Sequence, residues 1–315
     1  MSADGRTAST RIDVLTYNVE GLAWPARSGR GPKLKEIGNR LAAMRAAGAA
    51  PDVVLFQEMF SRRATQAVTA ADYPALVAGP ARGAAQPPRA GPRLPGRRVV
   101  TRGEIGIKFL SGGLAIASEY PIVSHSAQPF PRRACAGIDC LANKGVLHAR
   151  IVIPGVPGTL DLFNTHMNSQ RASRAPEDRH LAAHRRQSRA ISEFVALEGD
   201  IARPMVLGGD FNMRHSEPRF DRFVEMQPIA IVHRWCSERP QECDVQMSWD
   251  GDEPWMDTQD LQLFWSGEGV TIRPVRVEAM FDGGATGPRL SDHDGFRVTY
   301  DLSWPAGMPG AACAP

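Results

Sequence analysis

Residues 204–212 read P-M-V-L-G-G-D-F-N, and the other motifs of the chain are interpreted around this stretch. Residues 205–207 form an apolar run typical of a buried strand, and the two glycines that follow let backbones approach closely. Asp210 and Asn212 then stand two positions apart. Because alternate residues of a strand point to the same side, a carboxylate and a carboxamide are predicted to project together from one sheet edge. An isolated pair of this kind is equally typical of a turn, so the other strand ends decide its meaning.

Four further strand-like runs carry polar residues at one end. Residues 12–19, 52–58 and 159–168 have them toward their carboxyl ends, and the run at residues 295–302 follows a polar triplet. In chain order these polar residues are Asn18, then Gln57 with Glu58, then Thr165 with His166, and finally Ser291 with Asp292 and His293. Together, these strand ends predict one composite site.

The order Asn, Gln-Glu, His, Gly-Asp-x-Asn, Ser-Asp-His resembles that of the endonuclease/exonuclease/phosphatase superfamily. This is the fold of deoxyribonuclease I, apurinic endonucleases, inositol polyphosphate 5-phosphatases and sphingomyelinases. The motifs run from Asn18 to His293, so the resemblance covers nearly the whole chain. It implies an α+β fold, a four-layer α/β-β/α sandwich in which two packed, mainly antiparallel sheets are flanked by helices. Periodicity alone indicates only a mixed α and β chain.

The 315 residues are enough for one large or two small domains. Since polar motifs from end to end must converge, we predict a single domain over residues 1–315. Hydrophobic content of 43% and charged content of 23% are globular values. No apolar run reaches the roughly 18 residues of a membrane span, and residues 1–10 lack an apolar signal core. We expect a soluble monomer, either a mature exported form, which is the favoured alternative, or a cytosolic protein.

Charge is distributed unevenly along the chain, although the formal net charge is only +3. Residues 80–103 hold six arginines and no acid, and their Pro and Gly content predicts an exposed, mobile basic insertion. Residues 236–260 hold eight acids against Arg239 alone and are predicted to have little regular structure. Helices are predicted at residues 32–47 and 62–71, and a third ends near residue 197 after an irregular start.

The five cysteines leave the redox compartment open. Cys135 and Cys140 are close in sequence, as are Cys236 and Cys243, and Cys313 is left over. Neither spacing is C-x-x-C and no histidine cluster accompanies them, so a zinc site is not expected. The two pairs are predicted to be disulfides in an exported protein and free thiols in the cytosol.

Phosphoester hydrolysis needs a hard cation, an activated water and a group that stabilises the leaving oxygen. The resemblance implies that Glu58 is the main metal ligand with Asn18 beside it, and Asp292 completes the predicted ligand set. Oxygen ligands of this kind suit Mg²⁺, with Mn²⁺ or Ca²⁺ as alternatives.

His293 is predicted to be the general base, because a neutral imidazole accepts a proton from water near pH 7. It needs a carboxylate on its other ring nitrogen to fix its tautomer, as in a catalytic triad. Asp260 is assigned this role, in a strand that resembles an I-D-Y-I-F-like strand of similar enzymes. Gln262 departs from that pattern, which leaves the register open and makes Asp257 the alternative.

The remaining site residues are assigned by the same resemblance. Asp210 is predicted to orient the attacking water or to stabilise the charge near it, and Asn212 to hydrogen-bond the phosphate. His166 is predicted to stabilise the departing oxygen or the pentavalent phosphorus. His166 stands where the apurinic endonuclease branch has Tyr, so that branch is not favoured. Residues 135–146 resemble the C-G-x-D-x-L-x-N-K-G segment of bacterial sphingomyelinases C, and on this ground Lys144 and Asn143 are assigned to substrate binding.

These features predict a Mg²⁺-dependent phosphodiesterase whose substrate is a phosphodiester, with a phospholipid head group favoured over DNA. The membrane-inserting hairpin of bacterial sphingomyelinases is not matched, since residues 265–290 lack a paired aromatic tip. The alternative is a deoxyribonuclease I-like nuclease, in which Arg-rich residues 82–102 and 171–189 track phosphates. A non-enzymatic alternative is a catalytically dead binding module of the same fold, which the presence of every expected site residue disfavours.

Overall fold

Two packed sheets form the centre of the computed structural model, which describes residues 5–23, 26–89, 91–249 and 251–311. The seven-stranded sheet has the order β10 (Asp244–Gln246), β12 (Thr271–Met280), β13 (Gly295–Pro305), β1 (Thr7–Asn18), β2 (Val53–Gln57), β4 (Ala115–Ser118) and β3 (Ala75–Ala78). The six-stranded sheet has the order β5 (Ile122–Pro129), β6 (Gly145–Ile151), β7 (Leu160–His166), β8 (Met205–Asp210), β11 (Asp260–Trp265) and β9 (Ala230–Ile231).

Helices cover the outer faces of the sheets. They are α1 (Arg30–Ala46), α2 (Arg62–Ala70), α3 (Glu177–Glu198), α4 (Glu217–Met226) and α5 (Val232–Glu238). Apolar residues of α1 and α2 pack with β1 and β2, whereas those of α3 and α4 pack with β7 and β8. The predicted α+β sandwich is therefore confirmed. Among the described helices, none is both long enough and apolar enough to cross a membrane.

Strand pairing in the six-stranded sheet aligns three strand termini. β7 and β8 are parallel, and His166 lies opposite Asp210 in their register. β8 and β11 are antiparallel, and Asp210 lies opposite Asp260. Since parallel strands end at the same sheet edge and an antiparallel neighbour begins there, these three side chains share one edge. In the other sheet, β1 and β2 are parallel and end together at Asn18 and Gln57.

Gly208 brings the two sheets close together beneath this edge. A Cβ at this position would lie 2.6 Å from Leu55 Cδ1 and 2.7 Å from Thr16 Oγ1, both in the facing sheet. Any larger residue would therefore push the sheets apart. The glycine in the G-G-D-x-N run thus has a packing reason.

Several elements were not predicted from the sequence. These are β3, β5, β9 and α4, together with the short β10 and the end of α5 inside the acidic stretch. The structure pairs Cys135 with Cys140 and Cys236 with Cys243, which selects the disulfide alternative at both places. The leftover Cys313 lies outside the described residues.

Most of the described residues in the segment 80–103, which are 80–89 and 91–103, are exposed, and they include a 3₁₀ turn at Val100–Arg102. Leu94 is buried against Ala136 and Ala183 of the body. Glu104, which follows the segment, forms a buried ion pair with Arg179 of α3, with Nη2 2.5 Å from Oε2. These contacts anchor the carboxyl-terminal half of the segment, and its predicted mobility stays a prediction.

We expect Glu104→Gln to lower the free energy of unfolding at pH 7 by about 3 kcal/mol, because the change leaves the Arg179 guanidinium buried without a charge partner. Burial alone would raise the pKa of Glu104, but hydrogen bonds from Arg179 and the Gly137 amide hold it below its ordinary value. The pair therefore contributes fully above the unfolded-state pKa of about 4.3, and the contribution is lost as pH falls through the lower folded-state pKa.

Urea unfolding of both proteins at pH 7 and near pH 3.5 measures this difference. Glu36→Gln is the matched control, since Glu36 pairs with Arg40 on the exposed face of α1 and should change the free energy by less than about 0.5 kcal/mol. A Glu104→Gln effect of equal size at both pH values would show that the ion pair is not its cause.

Candidate active site

Strand ends from both sheets meet in one polar cluster. Asn18 ends β1 in the seven-stranded sheet, and Asp210 ends β8 in the six-stranded sheet. The Asn18 carboxamide Nδ2 donates a hydrogen bond of 3.0 Å to Asp210 Oδ2, although the two residues are 192 positions apart. Ser291 of the Ser-Asp-His motif donates its hydroxyl to the Asn18 carbonyl at 2.7 Å. The cluster therefore spans the interface between the sheets.

His293 lies just before β13 and faces the start of β11. Its Nδ1 atom is 2.6 Å from Asp260 Oδ2, and its Nε2 atom is 3.8 Å from Asp210 Oδ2. Burial alone would lower the pKa of His293, but the Asp260 carboxylate, followed by Asp210 and Asp292, raises it well above its ordinary value. The contact with Asp260 fixes the ring and directs Nε2 toward the centre of the cluster.

The structure distinguishes between the two aspartates that were predicted as possible partners of His293. Asp260 is buried at the end of the β8 and β11 ladder and contacts His293. Asp257 instead lies 3.5 Å from the exposed ring of His215. The geometry therefore favours Asp260 for the orienting role, and that role stays a prediction.

Asp210 and Asn212 lie side by side, as the spacing predicted. Asp210 Oδ1 accepts hydrogen bonds from the backbone N–H of Asn212 at 3.0 Å and from its Nδ2 at 2.8 Å. Asn212 has a φ of 53°, so a tight turn and not an extended strand brings its carboxamide back toward Asp210. Burial raises the pKa of Asp210 to about 7.

His166 and Lys144 form a buried contact on the other side of Asp210. Lys144 Nζ lies 2.9 Å from His166 Nε2, and His166 Nε2 lies 3.4 Å from Asp210 Oδ2. Burial, followed by the charges of Lys144 and His293, lowers the pKa of His166 well below its ordinary value. Since an ammonium group only donates hydrogen bonds, Nε2 is the acceptor and the ring proton belongs on Nδ1. Nδ1 is buried and has no hydrogen-bond partner among the described residues.

Glu58 follows β2 with a φ of 59°, a left-handed conformation that few residues other than glycine adopt. Burial raises the pKa of Glu58, whereas the charges of Lys144 and His293 and a hydrogen bond from Asn18 lower it by less. Asp292, the third predicted ligand, has a half-exposed carboxylate 3.2 Å from Arg27. Glu58 and Asn18 are therefore in contact within the cluster, and Asp292 lies at its rim.

The donor set fits a divalent cation that prefers oxygen. Glu58 offers a carboxylate and Asn18 a carboxamide oxygen, which are ligands that Mg²⁺ takes together with water. Asp210, Asp260 and His293 also have ligand atoms within 4.8 Å of one another in the described part of the chain. Burial raises the pKa values of both Glu58 and Asp210, and nearby positive charge lowers them. Glu58 and Asn18 stay the predicted ligands, and Asp210 is a further candidate.

The sequence profile of the Endonuclease/Exonuclease/phosphatase family matches residues 15–293. The chain belongs to this family. Its members are generally metal-dependent phosphodiesterases and nucleases, and the predicted recognition is confirmed. Curated proteins compared with the chain by sequence gave no match.

Solved structures of this family share the fold at low sequence identity. Sphingomyelinase C from Streptomyces griseocarneus is 19% identical with a TM-score of 0.64, and the match covers 92% of this chain and 99% of that one. Beta toxin from Staphylococcus aureus, in a structure with bound magnesium ions, is 18% identical with a TM-score of 0.63 over 92% and 99%. D. rerio TDP2 complexed with single-strand DNA product is 14% identical with a TM-score of 0.59 over 92% and 99%.

Sequence reasoning missed buried polar residues that join the two sheets by hydrogen bonds next to the candidate site. Asn164, two residues before His166, donates to the carbonyls of Phe56 and Ala115 in the facing sheet at 2.8 and 2.9 Å. Its Oδ1 accepts from Gln57 Nε2 at 2.8 Å. The strand period places Asn164 and His166 on the same side, so a carboxamide in an otherwise apolar run was the available signal.

Asn143, assigned to substrate binding, is fully buried in the structure. Its Nδ2 donates to the carbonyls of Ala81 at 2.9 Å and Ala84 at 3.0 Å, which fixes the start of the basic segment. Lys144 beside it also pairs with Asp139, a residue of the same Cys-rich segment that sequence reasoning did not select. The substrate-binding roles of Asn143 and Lys144 stay predictions.

Proposed function

We propose that this chain is a divalent-cation-dependent phosphodiesterase that hydrolyses the head-group phosphodiester of a phospholipid carrying a cationic head group. The family and the geometry around His293 support a phosphodiester reaction. The structural likeness to a sphingomyelinase C supports the choice of lipid. Both the activity and the substrate are proposals for this chain.

The cavity beside His293 is the observation that carries the choice of substrate. It has a volume of about 410 Å³, and its lining includes Asp257, Asp292 and Asp294 together with Trp249. Carboxylates beside an indole ring suit a quaternary ammonium or another organic cation, through charge and cation–π attraction. The cavity also contains Arg214 and Arg289, and Arg289 is paired with Asp294 at 3.3 Å. Two acids of the acidic stretch, Asp257 and Asp260, thus line this cavity, where they disfavour DNA.

The side chains divide the reaction among them. His293, oriented through Nδ1 by Asp260, accepts the proton of the attacking water at Nε2. Asn212 hydrogen-bonds a phosphate oxygen by exchanging its 3.3 Å contact with the Met167 carbonyl, and His166, with Lys144 beside it, stabilises the developing charge. A bound divalent cation would polarise a phosphate oxygen and supply the positive charge that brings the pKa of His293 toward neutrality.

A nuclease is the second candidate, and a separate observation favours it. A strongly basic cavity lies near the site, on the side of Lys144, and suits phosphate groups of any origin. The likeness to a TDP2 structure that contains single-strand DNA product adds a structural precedent.

Parallel assays with phosphatidylcholine or sphingomyelin vesicles and with supercoiled plasmid test the proposal. We expect head-group release in millimolar Mg²⁺, its loss on adding excess EDTA, and recovery when Mg²⁺ is restored, because the oxygen ligands bind the ion reversibly. Plasmid should stay supercoiled at the same enzyme concentration. Nicked plasmid with intact lipid would replace the lipid proposal with the nuclease. Activity that resists EDTA would contradict a cation-dependent mechanism.

A further inference from the structure

A basic cavity of about 990 Å³ lies between residues 80–108, α3 and the Cys135–Cys140 segment. Its lining holds eight arginines and Lys108, against Glu104 as the single acid. Glu104 is neutralised by Arg179, so the remaining positive charge is not balanced within the cavity. Arg89, Arg93 and Arg97 are exposed and make no hydrogen bond or ion pair with any described residue. An anionic partner would therefore meet several available guanidinium groups.

Exposed apolar side chains border this cavity. Ile105 lines its edge with 39% of its surface exposed, and Ile107 and Phe109 continue the segment at 61% and 56%. Lys108 between them is turned inward, where Nζ donates to the Cys140 and Ala142 carbonyls at 2.9 and 3.0 Å. In an extended segment the neighbours of an inward residue face outward, so Ile107 and Phe109 project into solvent together.

Two further apolar side chains extend the same border. Val100 is 54% exposed, and Ile138 is 40% exposed. Ile138 lies close by, since its Cα is only 3.1 Å from where a Cβ on Gly103 would stand. Single exposed apolar residues need no explanation, but a grouped set rimmed by arginines is typical of an interaction surface.

This surface, which we call the insertion face (Arg89, Arg93, Arg97, Ile105, Ile107 and Phe109), adjoins the candidate site. The amide of Asn143 donates to the Leu110 carbonyl at 3.0 Å, directly after Phe109. Lys144, the next residue, contacts His166. A layer that rested on the insertion face would thus be held beside the residues that face the scissile phosphorus.

We propose that the insertion face docks on an anionic phospholipid membrane, with Ile107 and Phe109 entering the interface and the arginines contacting lipid phosphates and carboxylates. This proposal rests on the proposed function and deepens it, because docking would bring the candidate site to its lipid substrate. Arginines beside aliphatic and aromatic side chains match a surface that is charged at the head groups and apolar beneath. Nucleic acid fits less well, because Phe109 alone offers a ring for base stacking on this face.

Flotation of the His293→Ala chain with vesicles tests docking without consuming lipid. The probes are pure phosphatidylcholine vesicles and vesicles that also contain phosphatidylserine. We expect stronger binding to the anionic vesicles and weaker binding at high salt. In that background, Ile107→Ser with Phe109→Ser should weaken binding about tenfold through lost apolar burial. Arg93→Gln with Arg97→Gln should weaken it on the order of tenfold on anionic vesicles alone.

Leu197→Ser with Ile201→Ser is the matched control. Both residues are exposed and apolar, at 72% and 71%, and they precede β8, whose far end is in the site. This pair should bind vesicles like the parent. Equal binding by all three double variants would overturn the proposal, as would uptake of single-stranded DNA with no uptake of vesicles.

Docking and catalysis can fail separately. Hydrolysis of a soluble phosphodiester by the unmodified chain is measured alongside flotation. Vesicle binding without any hydrolysis supports the docking face and contradicts the proposed function. Hydrolysis without vesicle binding supports the proposed phosphodiesterase activity and contradicts the docking face.

Discussion

Replacing His293 with alanine is expected to lower turnover of a soluble phosphodiester by at least about 10²-fold, the range found for lost acid/base groups. His293 is the side chain whose Nε2 faces the cluster while Nδ1 is held by Asp260 at 2.6 Å. Other described histidines approach carboxylates in different settings. His166 Nε2 lies 3.4 Å from Asp210 Oδ2 but also contacts Lys144. His148 pairs with Asp161 near the start of β7, at the opposite end from His166. Stopped-flow or steady-state measurements of turnover at saturating Mg²⁺ test this expectation.

His215→Ala is the matched control for that variant. His215 also lies beside an aspartate, Asp257, but its side chain is 61% exposed and is not among the residues that line the cavity beside His293. Its removal should change turnover by less than about twofold. Circular dichroism should show an unchanged fold for both variants. A His293→Ala chain with near-normal turnover would remove His293 from the mechanism.

Replacing Glu58 with alanine is expected to cost at least about 10²-fold in turnover and to abolish the response to Mg²⁺. The unmodified chain should gain thermal stability as Mg²⁺ is added, because a ligand that binds only the folded state stabilises it. The Glu58→Ala chain should show no such gain, since it lacks the main predicted carboxylate ligand. Thermal unfolding with increasing Mg²⁺ reads this out independently of activity.

Glu119→Gln is the control for Glu58. Glu119 also follows a strand, but β4 is antiparallel to β2, so Glu119 stands at the opposite sheet edge and pairs with Arg45. Its variant should keep the full Mg²⁺ response. If Glu58→Ala is stabilised by Mg²⁺ as strongly as the unmodified chain, the ion is held elsewhere, and Asp210 with Asp260 becomes the candidate site.

The sequence was sufficient to predict the fold and to predict that the polar strand ends converge. Fully buried strands such as β2 and β8 begin as apolar runs, and the polar residues at their ends interrupt the pattern clearly. Order along the chain then identified the family. The register of Asp260 was not available from the sequence, because the aromatic residue of the family pattern is either replaced by Gln262 or absent, depending on the alignment.

The structure explains Gln262. Its Nε2 donates to the carbonyls of Val14 and Phe296 at 2.9 and 3.1 Å, and its Oε1 accepts from the hydroxyl of Tyr300 at 2.9 Å. The Gln262 carboxamide can therefore be buried between the sheets, because these hydrogen bonds satisfy its polar atoms. Such exchanges depend on partners far away in sequence, so a local pattern does not predict them.

Helix α3 shows a second limit of sequence reasoning. The helical spacing of the sequence predicts an apolar face of Leu181, His184, Ile191 and Val195. His184 and Ile191 are buried, but Leu181 and Val195 are only half-buried. The buried face instead includes Arg179, paired with Glu104, and Gln187, which donates to the Ala134 carbonyl at 2.7 Å. Buried polar residues satisfied by distant loops look like a solvated flank when only the spacing is known.

The division of the site between two sheets has a kinetic consequence. Asn18 and Glu58 belong to one sheet, and His166, Asp210 and Asp260 to the other. Neither sheet alone carries a competent set of groups. During refolding, turnover should therefore return later than secondary structure. It should return in the step in which the two sheets pack and the carboxamides of Gln57 and Asn164 form their hydrogen bond. The recovery of turnover would then report the rate of this last folding step.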